Sequence, residues 1–320
     1  MTLEVARLPA DKAPLALKAP VVIEVGPRDG LQNEKAEVST ADKIAFILRL
    51  IDAGARRIEA GSFVNPRAVP QMAASAEVMA GVREQVDVAG RGVSLIGLAL
   101  NRRGYDRAVA AGVDEVNFVV VATETFNVRN QGVPIAQTLA DIAAVAPEAR
   151  AAGVRFGVTV GAAFGCPFEG EVSEDQLRAV LTPLAEAGLA EIALADTIGV
   201  ADPLAVERRI ALLKGLAPDV SVRCHFHNTR NTGLANAYAA VRAGVDALDS
   251  STGGIGGCPF APAATGNIPT EDLIYLLHRM DLQTGYSLEK LTETVLWLTE
   301  RLGGRPLPGM LAKAGGFPAN

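Results

Sequence analysis

The sequence predicts an α/β fold, a (β/α)8 TIM barrel in which parallel strands alternate with helices. Three observations predict it. About half of the residues are hydrophobic (49%) while few are aromatic (5%), a mixture typical of buried parallel strands covered by helices. Helical stretches are repeatedly followed by Ala-Gly and a short apolar run, which predicts alternating helices and strands. Eight such units over roughly 250 residues match the size of this barrel.

The predicted strands are short apolar runs rich in β-branched residues. In chain order they are Val21–Val25, Arg57–Gly61, Val93–Leu100, Glu115–Val121, Val154–Val160, Glu191–Ala195, Val220–Phe226 and Asp246–Ser250. Helices are predicted between them, for example over Thr40–Asp52, Ile135–Ala151, Ser173–Ala187, Pro203–Lys214 and Thr232–Ala243. The glycine of each Ala-Gly pair is expected just past a helix, in the left-handed conformation that ends it.

All 320 residues are predicted to form a single domain, with the barrel over about residues 21–268. Two further helices, Thr270–Met280 and Ser287–Leu302, are expected to close or flank it, and Arg305 to Gly309 to begin an irregular tail. The alternative is a doubly wound open sheet, but no G-x-G-x-x-G motif follows the first strand.

Charge and composition exclude several classes of partner. The net charge of −6 argues against nucleic acid, whose phosphates need a positive face. No apolar run approaches the roughly 18–20 residues of a membrane span. The first twenty residues mix charges without an apolar segment, so neither a secretory signal nor a transit peptide is predicted. We expect a cytoplasmic protein, and a barrel with extra helices favours a homo-oligomer.

The three cysteines, Cys166, Cys224 and Cys258, are odd in number and far apart, so no disulfide framework is expected. A reducing cytoplasm is consistent with this. Cys166 and Cys224 are predicted to be packing residues. His278, in a helical stretch, is predicted to be solvated.

In a (β/α)8 barrel the chemistry lies at the carboxyl ends of the strands. Polar residues are concentrated there in this sequence, whereas the helix-side segments are apolar or plainly solvated. The polar residues at or after the ends of strands are Arg28, Asp29, Gln32, Asn33, Glu34, Glu59, Ser62, Thr123, Glu124, Asn127, Asn130, Asp196, Thr197, His225, His227, Thr265 and Asn267.

The pair His225 and His227 comes at the end of the seventh strand. Residues two apart on a strand point to the same face, so the two imidazoles can bind one divalent cation. The alternative is a pair of hydrogen-bonded structural histidines. Cys224 alternates with them and faces the other way.

Asp29 would complete a set of two nitrogens and one oxygen that suits Mn²⁺, Mg²⁺, Zn²⁺ or Co²⁺. An amide oxygen of Asn267 could be a fourth ligand, and oxygen ligands favour the harder ions Mg²⁺ and Mn²⁺. Alternatively, Asp29 stabilises a turn. Arg28 beside it could bind an oxyanion, or pair with Glu59 or Asp196; these two roles are compatible.

The glycine-rich segment Gly253 to Gly257 follows the last strand. It could cradle a phosphate, or act as a mobile lid that brings Cys258 to the site. A thiol there could donate or accept a proton. Otherwise Cys258 is a small residue in a tight turn before Pro259.

Together these stretches resemble the 3-hydroxy-3-methylglutaryl-CoA lyase family, within the TIM-barrel metallolyases. The resemblance runs from about Val21 to Leu302. Its blocks are EVGPRDGLQNE at Glu24, IE at Ile58, SFV at Ser62, VPQM at Val69, GCPFEG at Gly165, DTIG at Asp196, GGIGGCP at Gly253, TGN at Thr265 and TED at Thr270.

The resemblance implies that Asp29, His225, His227 and Asn267 hold the cation. Arg28 would stabilise the enolate, and Cys258 would lie on a catalytic glycine loop. The remaining implied residues are Glu59 and Asp196 in the catalytic group, Gln32, Ser62, Asn130 and Gly256 in substrate binding, and Glu271 behind the ligands. The implied partner is an acyl-CoA, and the implied setting is leucine breakdown and ketone-body formation.

One block departs from the family, which reads His-x-His-Asp where this chain has His227-Asn228. Arg230 could add a positive charge near the rim. Asn228 looks more like the condensing synthases of the superfamily, so a Claisen-type synthase that uses acetyl-CoA and a 2-oxo acid is an alternative. The sequence is also compatible with a lyase for a different acyl-CoA and with a non-catalytic barrel that binds a metal or ligand.

Overall fold

The structure, a computed structural model, describes residues 17–258 and 261–315 of the chain. Eight parallel strands close into a barrel in chain order. Their bounds are β1 (Val21–Glu24), β2 (Arg57–Ser62), β3 (Ser94–Leu98), β4 (Glu115–Val121), β5 (Arg155–Gly161), β6 (Glu191–Asp196), β7 (Ser221–Phe226) and β8 (Ala247–Ser250). Ile23 of β1 pairs with Arg57 of β2 and with Asp249 of β8, which closes the ring. The predicted barrel is confirmed, and the open sheet is wrong.

Helices cover the outside of the barrel. Their bounds are α1 (Thr40–Ala53), α2 (Ser75–Gln85), α3 (Arg102–Ala110), α4 (Glu124–Gln131), α5 (Ile135–Ala151), α6 (Glu174–Glu186), α7 (Pro203–Leu216), α8 (Gly233–Arg242), α9 (Thr270–Arg279), α10 (Leu288–Arg301) and α11 (Leu311–Ala314). A short antiparallel pair, β9 (Gly257–Cys258) and β10 (Ala261–Thr265), follows β8. No helix in the described ranges is long and apolar enough to cross a bilayer.

The predicted helices agree with these bounds to within one or two residues at each end. The prediction of an irregular tail after Arg305 is corrected, because the short helix α11 forms within this segment. Its first turn is held by Asp272, whose carboxylate accepts hydrogen bonds from the N–H groups of Met310 and Leu311.

The glycines of the five Ala-Gly pairs all have positive φ, as predicted. Gly54 shows why glycine is needed after α1. Its φ is +112°, and a Cβ there would lie 2.3 Å from the carbonyl oxygen of Gly285. The turn therefore excludes any side chain at this position.

The amino-terminal end of the barrel interior is filled with paired charges. Arg57 donates to Glu115 at 2.9 Å and to Glu191 at 2.8 Å, and both carboxylates are nearly inaccessible. Arg155 lies near both acids, and Arg223 lies 3.6 Å from Glu191. Since each charge has partners of opposite sign, this end of the barrel is closed by ion pairs as well as by apolar packing.

Candidate active site

Asp29 reaches the barrel mouth because the chain makes one wide helical turn directly after β1. The N–H groups of Arg28, Asp29 and Gly30 all donate to the carbonyl of Val25, at 2.8–3.2 Å. The buried carboxylate of Glu24 holds this turn, because its Oε1 accepts a hydrogen bond from the N–H of Gly26 at 2.8 Å. The turn therefore presents Arg28 and Asp29 side by side at the carboxyl end of the first strand.

His225 and His227 lie on one face at the end of β7, as predicted, with ring centroids 5.1 Å apart. One ligand atom each from Asp29, His225 and His227 lies within 4.8 Å of the others. The first and seventh strands are two positions apart around the barrel, with β8 between them. Barrel closure therefore brings together residues nearly 200 positions apart in the sequence.

Asn267 joins this cluster because its segment runs alongside the end of β7. His227 and Asn267 form an antiparallel bridge, and the N–H of Asn228 donates to Gly266 at 2.5 Å. The Asn267 amide nitrogen donates to Asp29 Oδ2 at 2.8 Å and to the carbonyl of Ile255 at 3.1 Å. Its amide oxygen is buried and has no hydrogen-bond partner in the described structure.

These four side chains fit a divalent cation. The Nδ1 of His225 contacts Asp249 Oδ2 at 3.1 Å, which leaves Nε2 for a ligand. The Nδ1 of His227 is buried without a hydrogen-bond partner among the described residues, like Asn267 Oδ1. Buried polar atoms rarely stay unpaired, so two such atoms beside a carboxylate favour a bound cation.

The pKa values agree with this fit. Burial and the neighbouring His225 lower the pKa of His227 to about 4, so its ring is neutral and can donate a lone pair. Burial alone would raise the pKa of Asp29, but Arg28 and the two imidazoles hold it well below its ordinary value. Asp29 is therefore a carboxylate ready to bind a cation.

Arg28 is held by two acids and still lines the cavity. Its Nε donates to Glu59 Oε2 at 2.8 Å, and its Nη1 donates to Asp29 Oδ1 at 2.9 Å. Glu59 is fully buried in the middle of β2. The sequence predicted that Arg28 could pair with Glu59 or with Asp196. The structure shows the pair with Glu59, and this salt bridge fixes the direction of the guanidinium.

A cavity of about 960 Å³ opens at the carboxyl ends of the strands. Arg28, Asp29, His225 and His227 line its inner part, together with Gln32. Asn130, from α4, lines it as well. Both Gln32 and Asn130 are thus placed where substrate binding was predicted.

Two other residues predicted for the site, Asp196 and Ser62, lie behind the residues that line the cavity. Asp196 accepts hydrogen bonds from the N–H groups of Val200 and Ala201, at 2.9 and 3.1 Å, and so holds the loop after β6. Ser62 is buried, and its N–H donates to the hydroxyl of Ser75 at 2.9 Å. Neither lines the cavity, so direct contact with a substrate is not supported for them.

Gly256 packs against the cluster instead of lining the cavity. Its φ is +109°, and a Cβ there would lie 2.5 Å from the amide nitrogen of Asn267. It would also lie 3.2 Å from Gly30 Cα. A glycine at this position therefore lets the segment after β8 approach Asn267 and the turn after β1.

The glycine-rich segment after β8 is held by buried acids. Glu271 Oε2 accepts from the N–H of Gly253 at 2.9 Å, and Glu24 accepts from the N–H of Thr252 at 2.9 Å. The N–H of Gly254 donates to Ser251. These amides are already used within the protein, which argues against a phosphate cradle here. The side chain of Cys258 lies outside the described part, so its role stays a prediction.

Glu271 is fully buried, and its second carboxylate oxygen has no hydrogen-bond partner among the described residues. Burial raises the pKa of Glu271 to about 8. It is placed behind the site, as predicted, and it supports the loop between β8 and Asn267.

The residues that depart from the family pattern point away from the cluster. The Asn228 side-chain oxygen accepts from the N–H of Gly233, at the start of α8, at 3.1 Å. Arg230 donates to the carbonyls of Ile198 and Gly199 at 2.8 and 3.0 Å. Arg230 therefore ties two loops together and does not line the main cavity.

The packing predictions for two cysteines are confirmed. Cys224 and Cys166 are both buried, and Cys166 Sγ accepts from the Thr123 hydroxyl at 3.0 Å. The prediction for His278 is wrong in part, because this side chain is half-buried and contacts Thr284 Oγ1 at 3.0 Å.

Sequence reasoning missed Asp249 and Arg223. Asp249, on β8, contacts His225 and accepts from Arg223 at 2.5 and 2.8 Å. Both are charged residues inside otherwise apolar strands. That was the available signal, since a buried charge needs a partner nearby.

The fold and the cluster thus define a barrel enzyme with a polar, cation-compatible site at the strand ends. A comparison with protein families matches residues 19–296 to the HMGL-like family model. The chain belongs to that family, whose members are generally divalent-metal dependent, and it is a lyase-like enzyme.

Individual relatives agree with this assignment. The chain is 43% identical over 304 residues to a (R)-citramalyl-CoA lyase of Chloroflexus aurantiacus, covering 93% of this chain and 96% of that protein. It is 40% identical over 297 residues to a 3-hydroxy-3-isohexenylglutaryl-CoA/hydroxymethylglutaryl-CoA lyase of Pseudomonas aeruginosa, covering 92% and 97%. Among solved structures, an HMG-CoA lyase of Acinetobacter baumannii in complex with coenzyme A and 3-methylmalate has a TM-score of 0.86 and 38% identity, covering 94% and 98%.

Proposed function

We propose that this chain is a divalent-metal-dependent lyase that cleaves 3-hydroxy-3-methylglutaryl-CoA to acetyl-CoA and acetoacetate. The observation that supports it most is the cluster of Asp29, His225, His227 and Asn267 beside Arg28 at the inner end of one cavity. A cation bound there would lower the pKa of the substrate's C3 hydroxyl and orient its carboxylate. Mg²⁺ and Mn²⁺ suit the oxygen ligands best.

Breaking the carbon–carbon bond requires that the C3 hydroxyl lose its proton. Asp29 and His225 are the two candidate acceptors, since both line the inner cavity. The contact between His225 Nδ1 and Asp249 fixes the direction of that ring. Glu59 and Asp29 fix Arg28 in the same way.

Negative charge then develops on the thioester oxygen as an enolate forms. Arg28 is permanently charged and already oriented, so it can stabilise that oxygen without reorganisation. The enolate carbon must finally gain a proton, which we assign to the thiol of Cys258. Replacing Cys258 with Ser tests this step, and unchanged turnover would remove the thiol from the mechanism.

A second candidate substrate is (R)-citramalyl-CoA, which is favoured by the 43% identity to a lyase of that name. Its carboxylate is bound directly to the carbinol carbon, whereas one methylene separates them in 3-hydroxy-3-methylglutaryl-CoA. A single methylene in a pocket changes specificity by roughly 10–200-fold. The two substrates are therefore distinguishable by rate.

The test is a comparison of kcat/KM for both thioesters with Mg²⁺ or Mn²⁺ present. Acetoacetate as the preferred product supports the proposal, and pyruvate as the preferred product supports the second candidate. Net condensation of acetyl-CoA with a 2-oxo acid, without cleavage of either thioester, would favour a Claisen-type synthase.

A further inference from the structure

A pair of polar side chains, Asn117 and Thr159, lines the cavity on the side of β4 and β5. Asn117 lies four residues before the end of β4, and Thr159 lies two residues before the end of β5, so both are set below the mouth of the barrel. The Asn117 amide nitrogen donates to Thr159 Oγ1 at 2.9 Å, and Thr159 Oγ1 donates to Asn117 Oδ1 at 3.3 Å. The proposed reaction uses neither side chain.

The pair faces a recess, because the neighbouring residues on β5 and β6 are small. Gly161 and Ala195 line the cavity beside it. Thr159 pairs with Ala193 across the β5–β6 ladder, and Ala195 pairs with His225 across the β6–β7 ladder. Between Thr159 and the imidazole of His225, β6 therefore presents only the methyl groups of two alanines. The recess is open toward the proposed cation ligands.

Asn117 has hydrogen-bonding capacity that the protein does not use. Its side chain is 4% exposed, and its amide nitrogen carries two hydrogens, of which only one has an acceptor in the described part of the chain. The neighbouring inward residues of β3 and β4 are apolar: Leu98, Val119 and Val121. Buried polar groups rarely stay unpaired, so the second hydrogen is available to a ligand or to a water molecule.

The carbinol carbon of the proposed substrate determines which group can reach this recess. Of its four substituents, the hydroxyl and the carboxylate arm are assigned to the cation, and the thioester arm extends toward Arg28 and the mouth. The fourth substituent is left to face another part of the wall. In 3-hydroxy-3-methylglutaryl-CoA it is a methyl group, which cannot accept a hydrogen bond from Asn117.

We propose that Asn117 and Thr159 determine acyl specificity, and that they select 3-hydroxyglutaryl-CoA thioesters whose C3 substituent is longer than methyl and carries an oxygen that accepts a hydrogen bond. This inference rests on the proposed function, because it assumes a substrate of the 3-hydroxyacyl-CoA class. The reaction is the same: the C2–C3 bond breaks, the C3 hydroxyl loses a proton, and C2 gains one, which gives acetyl-CoA and a 3-oxo acid. With the methyl compound, water can fill the recess, so its cleavage is compatible with the proposal.

A second buried Asn–Thr pair provides a matched control. The Asn127 amide nitrogen donates to Thr138 Oγ1 at 3.0 Å, both side chains are buried, and neither lines the cavity. Thr159→Val and Thr138→Val each remove one hydroxyl from such a pair and keep the shape of the side chain. Only Thr159→Val should change substrate preference.

The experiment compares 3-hydroxy-3-(methoxymethyl)glutaryl-CoA with 3-hydroxy-3-propylglutaryl-CoA, in which a methylene replaces the ether oxygen. Both kcat/KM and the calorimetric Kd are measured with Mg²⁺ or Mn²⁺ present. The wild type should prefer the ether on the order of tenfold, because the propyl group leaves the Asn117 donor unpaired. Asn117→Leu/Thr159→Val replaces both partners with apolar groups and should abolish the preference. Thr159→Val should reduce it, and Thr138→Val should keep it.

Equal kcat/KM and equal affinity of the wild type for the two thioesters would overturn the proposal, and this comparison needs no variant to fold. An unchanged preference in Asn117→Leu/Thr159→Val would also overturn it, as would equal losses in Thr159→Val and Thr138→Val. The two proposals fail separately. Cleavage of 3-hydroxy-3-methylglutaryl-CoA without any preference for the ether would refute only this inference. Tighter binding of the ether that depends on Asn117 and Thr159, without cleavage of any thioester, would refute only the proposed function.

Discussion

The two ends of the barrel interior use polar and charged residues in opposite ways. At the amino-terminal end, Arg57, Glu115 and Glu191 satisfy one another. At the carboxyl end, Asn267 Oδ1 and His227 Nδ1 are buried without a hydrogen-bond partner in the described ranges. Polar groups that satisfy each other stabilise the fold, whereas groups left unsatisfied are available to a ligand.

The largest expected effect is a loss of activity on substitution at the carboxyl end of the barrel. Asp29→Asn removes the only carboxylate of the proposed ligand set and should lower kcat/KM on the order of 10³-fold. The fold should persist, because the change keeps the shape of the side chain. Steady-state kinetics with a melting curve checks both points, and near-normal turnover would contradict the assignment.

A substitution at the amino-terminal end of the barrel should lower the stability of the protein and leave its kcat nearly unchanged. Arg57→Met leaves Glu115 and Glu191 buried without their main partner, at a cost of about 3–5 kcal/mol. We expect the melting temperature to fall by roughly 10 °C. At low temperature, kcat of the folded variant should stay within about a factor of two, since the site is distant. A large loss of kcat with unchanged stability would show that the two ends are not separate.

Asp249 joins the two ends, because it contacts both Arg223 and His225. Asp249→Asn should weaken Mn²⁺ binding by roughly 10–100-fold, since a carboxylate behind a ligating histidine orients it and raises its basicity. Calorimetric titration of the folded variant measures this. The control is Asp52→Asn on the outer surface, where Asp52 pairs with Lys290. Equal Mn²⁺ affinity in Asp249→Asn and wild type would assign Asp249 to the structural network alone.

The smallest effect is expected at Glu271, whose pKa is raised by burial from 4.5 to about 8. The folded protein keeps a proton that the unfolded chain has lost, so stability falls as pH rises between these two values. Glu271→Gln should therefore melt above wild type at pH 8, and the difference should shrink toward pH 5. Exposed Glu289→Gln is the control. A difference that does not depend on pH would contradict the shifted pKa.

The sequence predicted the barrel because strand and helix alternate with a clear period and because glycine ends the helices. It also predicted the cluster of Asp29, His225 and His227, which could hold a metal ion, since all three lie at or just after the ends of strands. It could not predict the contact between Asp249 and His225, because that contact depends on the register of the β7–β8 pair, in which Cys224 lies opposite Leu248.

The sequence also could not show which arginines of α3 line the cavity. Arg102, Arg103 and Arg107 are indistinguishable in the sequence of α3. Only the packing of Arg102 against Asp106 and Glu148 shows that it faces outward. Likewise, Asp196 and Ser62 follow strands but have backbone or side-chain partners behind the cavity wall.

The central claim is that Asp29, His225, His227 and Asn267 share one divalent cation that the reaction needs. The direct measurement is cleavage of 3-hydroxy-3-methylglutaryl-CoA and of citramalyl-CoA by chelator-treated protein, before and after Mn²⁺ is titrated in. We expect activity to be lost on treatment and to return in proportion to one bound ion per chain. Full activity toward either thioester in metal-free protein would contradict the claim.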